Sequence, residues 1–269
     1  MEDRMSETIV KLEHVRKTYR TYKSNFQKIQ HMLFLSGAGE KNRVLNDVSF
    51  EIKKGEKVTV LTPSGGGKTT ILRIIAGIIK PEAGTVVVNE KPTLLLDYRA
   101  GFDAALNGLD NYRIRAKLQG WPDELIKQRE KEIFKFAGLS QEKETKLRNF
   151  PRGGASRLGF AISTADKPDF LLMDERIMFG SSAINDRYTE RFAEMITPEM
   201  TLIMSGNDFR RNLLFCERGI VIHDGVVKFD GPIEEAMEYH KEHSDRKASK
   251  KSKRQEVESF DMDDGDDAF

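Results

Sequence analysis

The chain has 269 residues, 38% of them hydrophobic, and a formal net charge of +1, which is enough length and apolar content for one large domain or two small ones with a core. The balanced charge gives no global basic field and so does not point to nucleic acid as a partner. Cys216 is the only cysteine, which excludes an intramolecular disulfide or a cysteine metal cluster and fits a reducing cytoplasm.

The opening Met1-Glu2-Asp3-Arg4 lacks the basic region and apolar core of a signal peptide, and no run approaches the roughly 18 apolar residues of a membrane span, so any membrane association is expected to be peripheral. Strands are predicted at Thr8–Leu12 and Val48–Ile52, two segments that belong together. They flank a basic, irregular insertion at about 20–43, in which Phe26, Ile29, Met32, Leu33 and Leu35 have the spacing of an amphipathic helix. That helix could pack on its own domain or on a partner.

Lys57–Leu61 then reads as a β-rich run and Thr69–Ile79 as an apolar-periodic helix, with Thr62-Pro63-Ser64-Gly65-Gly66-Gly67-Lys68-Thr69-Thr70 between them. Strand, glycine loop and helix in that order make a phosphate-binding loop. Gly65, Gly66 and Gly67 let backbone NH groups turn toward phosphate oxygens, Lys68 brings a point charge, and Thr69 offers a hydroxyl to magnesium. Ser64 and Thr70 complete the nucleotide-binding stretch, and the start of the helix favours an anion. Thr62 stands where the consensus has its first glycine.

Further along, Thr85–Val88 and Thr93–Leu96 read as strands, and 107–165 as a helix-rich subdomain. Strands are also predicted at Phe170–Met173, Leu202–Ser205 and Ile220–His223, with Asp224-Gly225 as a hairpin turn. Beyond about His240, basic residues Arg246 to Arg254 precede an acidic stretch from Glu256 to Asp267, the pattern of a solvated tail or, alternatively, of a patch meeting anionic lipid. Nucleotide chemistry also needs an acidic group at a strand end. Asp174 suits the magnesium shell, and Glu175 suits orienting and polarising the attacking water.

At this point Thr8–His240 resembles the ATP-binding subunits of ABC transporters, and among them the exporters of capsular polysaccharide or O-antigen. The resemblance rests on Thr62–Thr70, Ala100–Gly108, Phe150–Ala161, Asp169–Glu175 and Leu202–Asp208, in family order. It implies an α/β P-loop NTPase of ABC type, with a mixed sheet core, an antiparallel β region and an α-helical subdomain. The nucleotide-binding domain would span 1–240, followed by a charged tail at 241–269.

The resemblance also implies site roles. Tyr19 matches the aromatic residue that stacks on adenine, although a surface or core tyrosine is the other reading. Phe150-Pro151-Arg152-Gly153-Gly154 matches the signature loop that meets the ATP held by the opposite subunit, with Arg152, Gly153 and Gly154 as its contacts. Proline has neither hydroxyl nor NH to give a phosphate there, and Arg152 could supply charge or obstruct closure. Asp103 replaces a glutamine and remains a possible magnesium ligand beside Thr69 and Asp174. Ser181 replaces the dimer-interface aspartate. Gly206 replaces the switch histidine, leaving the Asn207 amide as the nearest substitute.

By resemblance, the chain would bind ATP and Mg2+, with Glu175 and Lys68 as its catalytic pair. It would dimerise with itself or with a second ABC ATPase, and dock on a polysaccharide-export permease at the cytoplasmic face of the bacterial inner membrane. The altered positions predict slow hydrolysis, since loss of one well-placed group costs about 10²-fold or more. They leave open a nonhydrolysing assembly or regulatory subunit. A DNA-repair ATPase of similar type would need a long coiled coil between Lys68 and Asp174, and no sustained heptads occur there.

Overall fold

The computed structural model describes residues 7–21, 40–95, 98–174, 182–206 and 208–244. Most of the amphipathic insertion, the charged tail, Glu175, Ser181 and Asn207 lie outside them. The described chain gathers into two units. The first holds Glu7, Lys53–Glu56 and Asn89–Met204, and the second Thr8–Ile52, Lys57–Val88 and the chain from Ser205 onward.

In the second unit the strand order is β4-β1-β2-β9-β8-β3. β1 (Thr8–Thr21) and β2 (Glu40–Lys53) are longer than their apolar residues predict. Only Ile9, Val10, Leu12 and Val15 of β1 are buried hydrophobics, and the strand continues because its backbone pairs antiparallel with β4 (Ala83–Val88) as far as Arg16 opposite Ala83. The register shifts between Glu13 and Arg16, where His14 takes φ 54°. Gly84 faces that bulge: a Cβ on it would stand 2.4 Å from the His14 carbonyl oxygen.

β3 (Lys57–Leu61) is buried from Val58 to Leu61 and runs parallel to β8 (Arg218–His223), so Leu61 ends beside Val221. β8 turns through Asp224 and Gly225 into the antiparallel β9 (Val226–Pro232). Both turn residues have positive φ, 55° and 75°, which is the requirement of a tight hairpin and explains the Asp-Gly pair. Parallel and antiparallel pairs thus share one mixed sheet.

Helix α1 (Lys68–Ile75) follows β3 and stops short of the predicted Ile79. Gly77 at φ 69° ends it, although the apolar run continues through Ile78. At the other end of the unit, α6 (Phe209–Phe215) precedes β8, and α7 (233–244) follows β9. The chain is helical through residue 244, and the charged stretch expected beyond about His240 follows it outside the described residues.

In the first unit the strand order is β7-β6-β5, with β6 (Phe170–Asp174) parallel to β5 (Thr93–Leu95). Every residue of β6 and of β7 (Thr201–Ser205) is buried, the continuous apolar pattern of a sheet covered on both faces. The helix-rich segment resolves into α2 (Gly108–Leu118), α3 (Asp123–Ala137) and α4 (Gly154–Ser163), with α5 (Ser182–Met195) after β6. Tyr112, Trp121, Ile133, Phe134 and Leu158 make the core of α2–α4. The Tyr112 hydroxyl donates to the Ile126 carbonyl at 2.6 Å and the Trp121 indole NH to Asp166 at 2.7 Å, which satisfies the polar atoms of these two rings.

Candidate functional site

The glycine loop lies between the end of β3 and the start of α1, within the second unit. Gly65 and Gly67 take φ 76° and 99°, a left-handed backbone that other residues enter at a cost. Gly67 is the N-cap of α1, so no side chain caps that helix, and its first turn carries no acidic residue. Space is tight as well as twisted. A Cβ on Gly67 would meet Val44 Cγ1 at 2.7 Å, and one on Gly66 would meet Thr62 Cβ and Oγ1 at 2.9 Å. The Thr62 departure is thereby absorbed: its side chain is buried, its hydroxyl donates to the Pro63 carbonyl at 2.9 Å, and its own carbonyl accepts from Lys68 Nζ at 3.3 Å.

Ser64 and Gly65 are exposed, while Gly66 to Thr70 are half-buried. Tyr19 comes to this loop from β1, with its hydroxyl 3.4 Å from Thr70 Oγ1 and its side chain 39% exposed. Lys17 Nζ lies 5.9 Å from the Tyr19 ring centre. A half-open aromatic face thus stands beside an uncapped helix N-terminus, and these residues fit a group carrying phosphates and a flat base.

Two polar features of this unit escaped the sequence reading. Buried Asn212 on α6 accepts from Thr59 Oγ1 of β3 at 3.2 Å and donates to the Gly206 carbonyl at 3.2 Å. It ties β3 to the turn that follows β7. His223 and His240 form the second feature, His223 Nε2 lying 3.1 Å from His240 Nδ1 with both rings buried. Burial pushes the His240 imidazole down to about 4, and the charges of His223 and Lys68 act in the same direction. No motif marks either feature, because each is made by residues far apart in the chain.

The first unit holds the other predicted positions. Asp174 is buried at the C-terminal end of β6, and Glu175 follows outside the described residues. Asp103 sits in a loop clamped by buried Asn111, whose Oδ1 accepts from the Asp103 NH at 2.7 Å and whose amide donates to the Asp103 and Asn107 carbonyls at 2.9 and 2.8 Å. One Asp103 carboxylate oxygen accepts from the Ala105 NH at 2.8 Å, so part of this carboxylate serves its own turn. Asn111 is a further residue that sequence reasoning did not assign. Arg152 is exposed, Gly153 caps α4 at φ 76°, and Gly154 is buried with its NH donating to the Pro151 carbonyl at 2.8 Å. A groove of about 460 Å³ lies on this unit, lined by Leu106, Asp110, Arg113, Ile114, Lys117 and Ile126 among others.

Among the described residues, no group of three or more His, Cys, Asp or Glu side chains could by itself hold a metal ion, and no helix is long and apolar enough to cross a membrane. The buried parallel strand β3, the glycine loop and the uncapped α1 define a nucleotide-binding domain of the α/β P-loop class. More closely, residues 45–177 match the model of the ABC transporter family. The chain's relatives include the teichoic acids export ATP-binding protein TagH of Bacillus anthracis, 31% identical over 87% of this chain and 42% of that protein. TagH of Levilactobacillus brevis is 30% identical over 87% of this chain and 64% of its own length. The O-antigen export system ATP-binding protein RfbB of Klebsiella pneumoniae is 27% identical and is covered over 98% of its length. The chain thus spans less than two thirds of the two TagH proteins. A solved dimeric ATP-binding cassette with ADP and Pi, in a post-hydrolysis state, shares the fold at a TM-score of 0.64 and 23% identity, covering 83% of this chain and 98% of that one. The expected family and fold class both hold.

Proposed function

We propose that this chain is the ATP-binding subunit of an export system for a cell-surface polysaccharide, and that it works as a dimer on a membrane permease at the cytoplasmic face of the membrane. The observation that carries this reading is the glycine loop on β3 and α1 with Tyr19 beside it, joined to relatives named for teichoic acid and O-antigen export. Tyr19 stacks on the base, the loop amides and Lys68 hold the phosphates, and Thr69 and Asp174 are the groups offered to magnesium. Magnesium, when bound, neutralises phosphate charge, and it suits a site with few carboxylates because it takes the rest of its shell from phosphates and water. Glu175 is assigned to polarising the attacking water, and Arg152, Gly153 and Gly154 to the nucleotide of an opposing subunit. The groove beside Ile114 is assigned to the permease.

A second reading, a subunit that binds nucleotide without turning it over, is favoured by Pro151, Arg152 and Gly206, which replace groups the family uses on the γ-phosphate. Phosphate release from Mg-ATP, measured with and without the co-purified permease, separates the two. Steady release that Glu175→Gln abolishes, with ATP binding retained, is expected under the first reading. ATP binding with no release above the Glu175→Gln background establishes the second. A chain that binds no ATP at all, and behaves no differently as Lys68→Ala, overturns both.

A further inference from the structure

The first unit carries an arginine cluster that the nucleotide chemistry does not use. The Phe136 ring at the end of α3 has the guanidinium of Arg187 4.6 Å from its centre and that of Arg191 5.4 Å from it, both from α5. The same ring packs on Phe160 of α4 and Tyr188 of α5, with ring centres 6.1 and 5.3 Å away, so the platform is fixed by the aromatic core. Arg157 joins from α4. Its Nη1 lies 3.8 Å from where a Cβ on Gly138 would stand, and its charge, with that of Arg187, reaches the Tyr188 hydroxyl.

The carboxylates do not match these charges. Arg191 pairs with Glu132 at 3.6 Å, whereas Arg157 and Arg187 have no ion pair among the described residues. Among the described residues, three guanidinium groups against one carboxylate leave two positive charges without an ion pair. Two of the arginines, Arg157 and Arg191, also carry a solvent-closed Nε–H that finds no acceptor among the described residues. A buried donor without an acceptor is costly, and guanidinium groups held close on one ring repel one another until an anion lies between them. Planar forks of this kind match oxyanions. A carboxylate would cancel one of the two excess charges, while a phosphoryl group, at roughly −1.5 to −2 near neutral pH, cancels both.

We propose that Arg187 and Arg191 on the Phe136 ring, together with Arg157 near Gly138 at the end of the same helix, form a second anion site that binds a phosphoryl group. The site is separate from the glycine loop and has its own residues. The phosphoryl group can belong to a small solute or to a lipid headgroup, and the two sources are told apart by experiment.

The test uses the full chain carrying Lys68→Ala, which disables phosphate binding at the glycine loop. Pyrophosphate is titrated calorimetrically, and phosphatidylglycerol vesicles are tested by co-sedimentation. Saturable binding of one equivalent of pyrophosphate is expected, weakened at least tenfold by Arg187→Gln and by Arg157→Gln. Vesicle binding lost in the same two variants, with no uptake of pyrophosphate, supports the lipid source. Arg187 is exposed, so Arg187→Gln keeps its thermal midpoint and remains informative if Arg157→Gln does not fold. Absence of binding to both probes, or binding that Arg187→Gln leaves unchanged, overturns the proposal.

Discussion

Gly159 shows how one position can be fixed by a neighbour rather than by its own helix. It lies inside α4, where glycine lowers helix stability, yet a Cβ there would stand 2.0 Å from the Tyr98 carbonyl oxygen. That contact is with backbone, so the loop bearing Tyr98 must move. Gly159→Ala is expected to cost about 1–3 kcal/mol in urea unfolding, as overpacking that forces a backbone shift does. His240 gives a pH signature with a definite sign. Its imidazole titrates near 4 in the folded chain, because of burial first and then of His223 and Lys68, and near its ordinary 6.5 when unfolded. His243 and Ser244 of its own helix also approach this pair: the His243 ring is 6.2 Å from that of His223, and Ser244 Oγ is 3.5 Å from His240 Nε2. Between pH 6.5 and 4 the unfolded chain binds the extra proton, so stability is complete above 6.5 and falls as pH drops through that window, by on the order of 2 kcal/mol. Thermal midpoints measured from pH 7 to 4 should fall more steeply in the native chain than in His240→Gln.

At the scale of elements, Asn212 links β3, α6 and the Gly206 loop. Asn212→Ala leaves the Thr59 hydroxyl and the Gly206 carbonyl without this partner, and a loss of about 1–3 kcal/mol is expected in the same unfolding assay. The groove beside α2 belongs to this scale too. Ile114 is 40% exposed at its edge, an apolar side chain facing outward. Ile114→Asp should leave ATP affinity within about twofold and lower permease co-purification at least tenfold, because one buried charge in an apolar contact costs more than its area. The strands with continuous burial, β3, β6 and β7, were legible because an unbroken apolar run has few alternatives. The outer half of β1 was not, since polar residues join a sheet through backbone pairing that leaves no trace in hydropathy. α1 was overextended because Ile78 and Ile79 keep the apolar period after Gly77 has ended the helix. The turn at Gly65 to Gly67 was legible in the sequence, since positive φ and close packing admit few substitutes. The Asn212 link and the histidine pair were not, because each joins segments far apart in sequence.

At the scale of the whole chain, neither unit is made from one stretch of sequence. Lys53–Glu56, the last residue of β2 and the turn that leads to β3, belongs to the first unit, where the Gly55 NH donates to Thr201 Oγ1 at 2.9 Å and the Glu56 carbonyl accepts from the Leu202 NH at 2.9 Å. Subunit number follows from the proposed function. Light scattering of Glu175→Gln with saturating ATP should show twice the mass of the nucleotide-free chain if the chain pairs with itself, and an unchanged mass until a second ATPase is added if it does not. Cys216 has a consequence of a different kind. It is buried, and that burial holds its thiol well above the ordinary thiol range, so almost none of the reactive thiolate forms at neutral pH. Alkylating dyes should pass it by in the folded protein. A cysteine introduced at an exposed groove position such as Ile114 would then carry the label alone, with the native thiol left in place, and its fluorescence would report what happens at the groove when a permease is added.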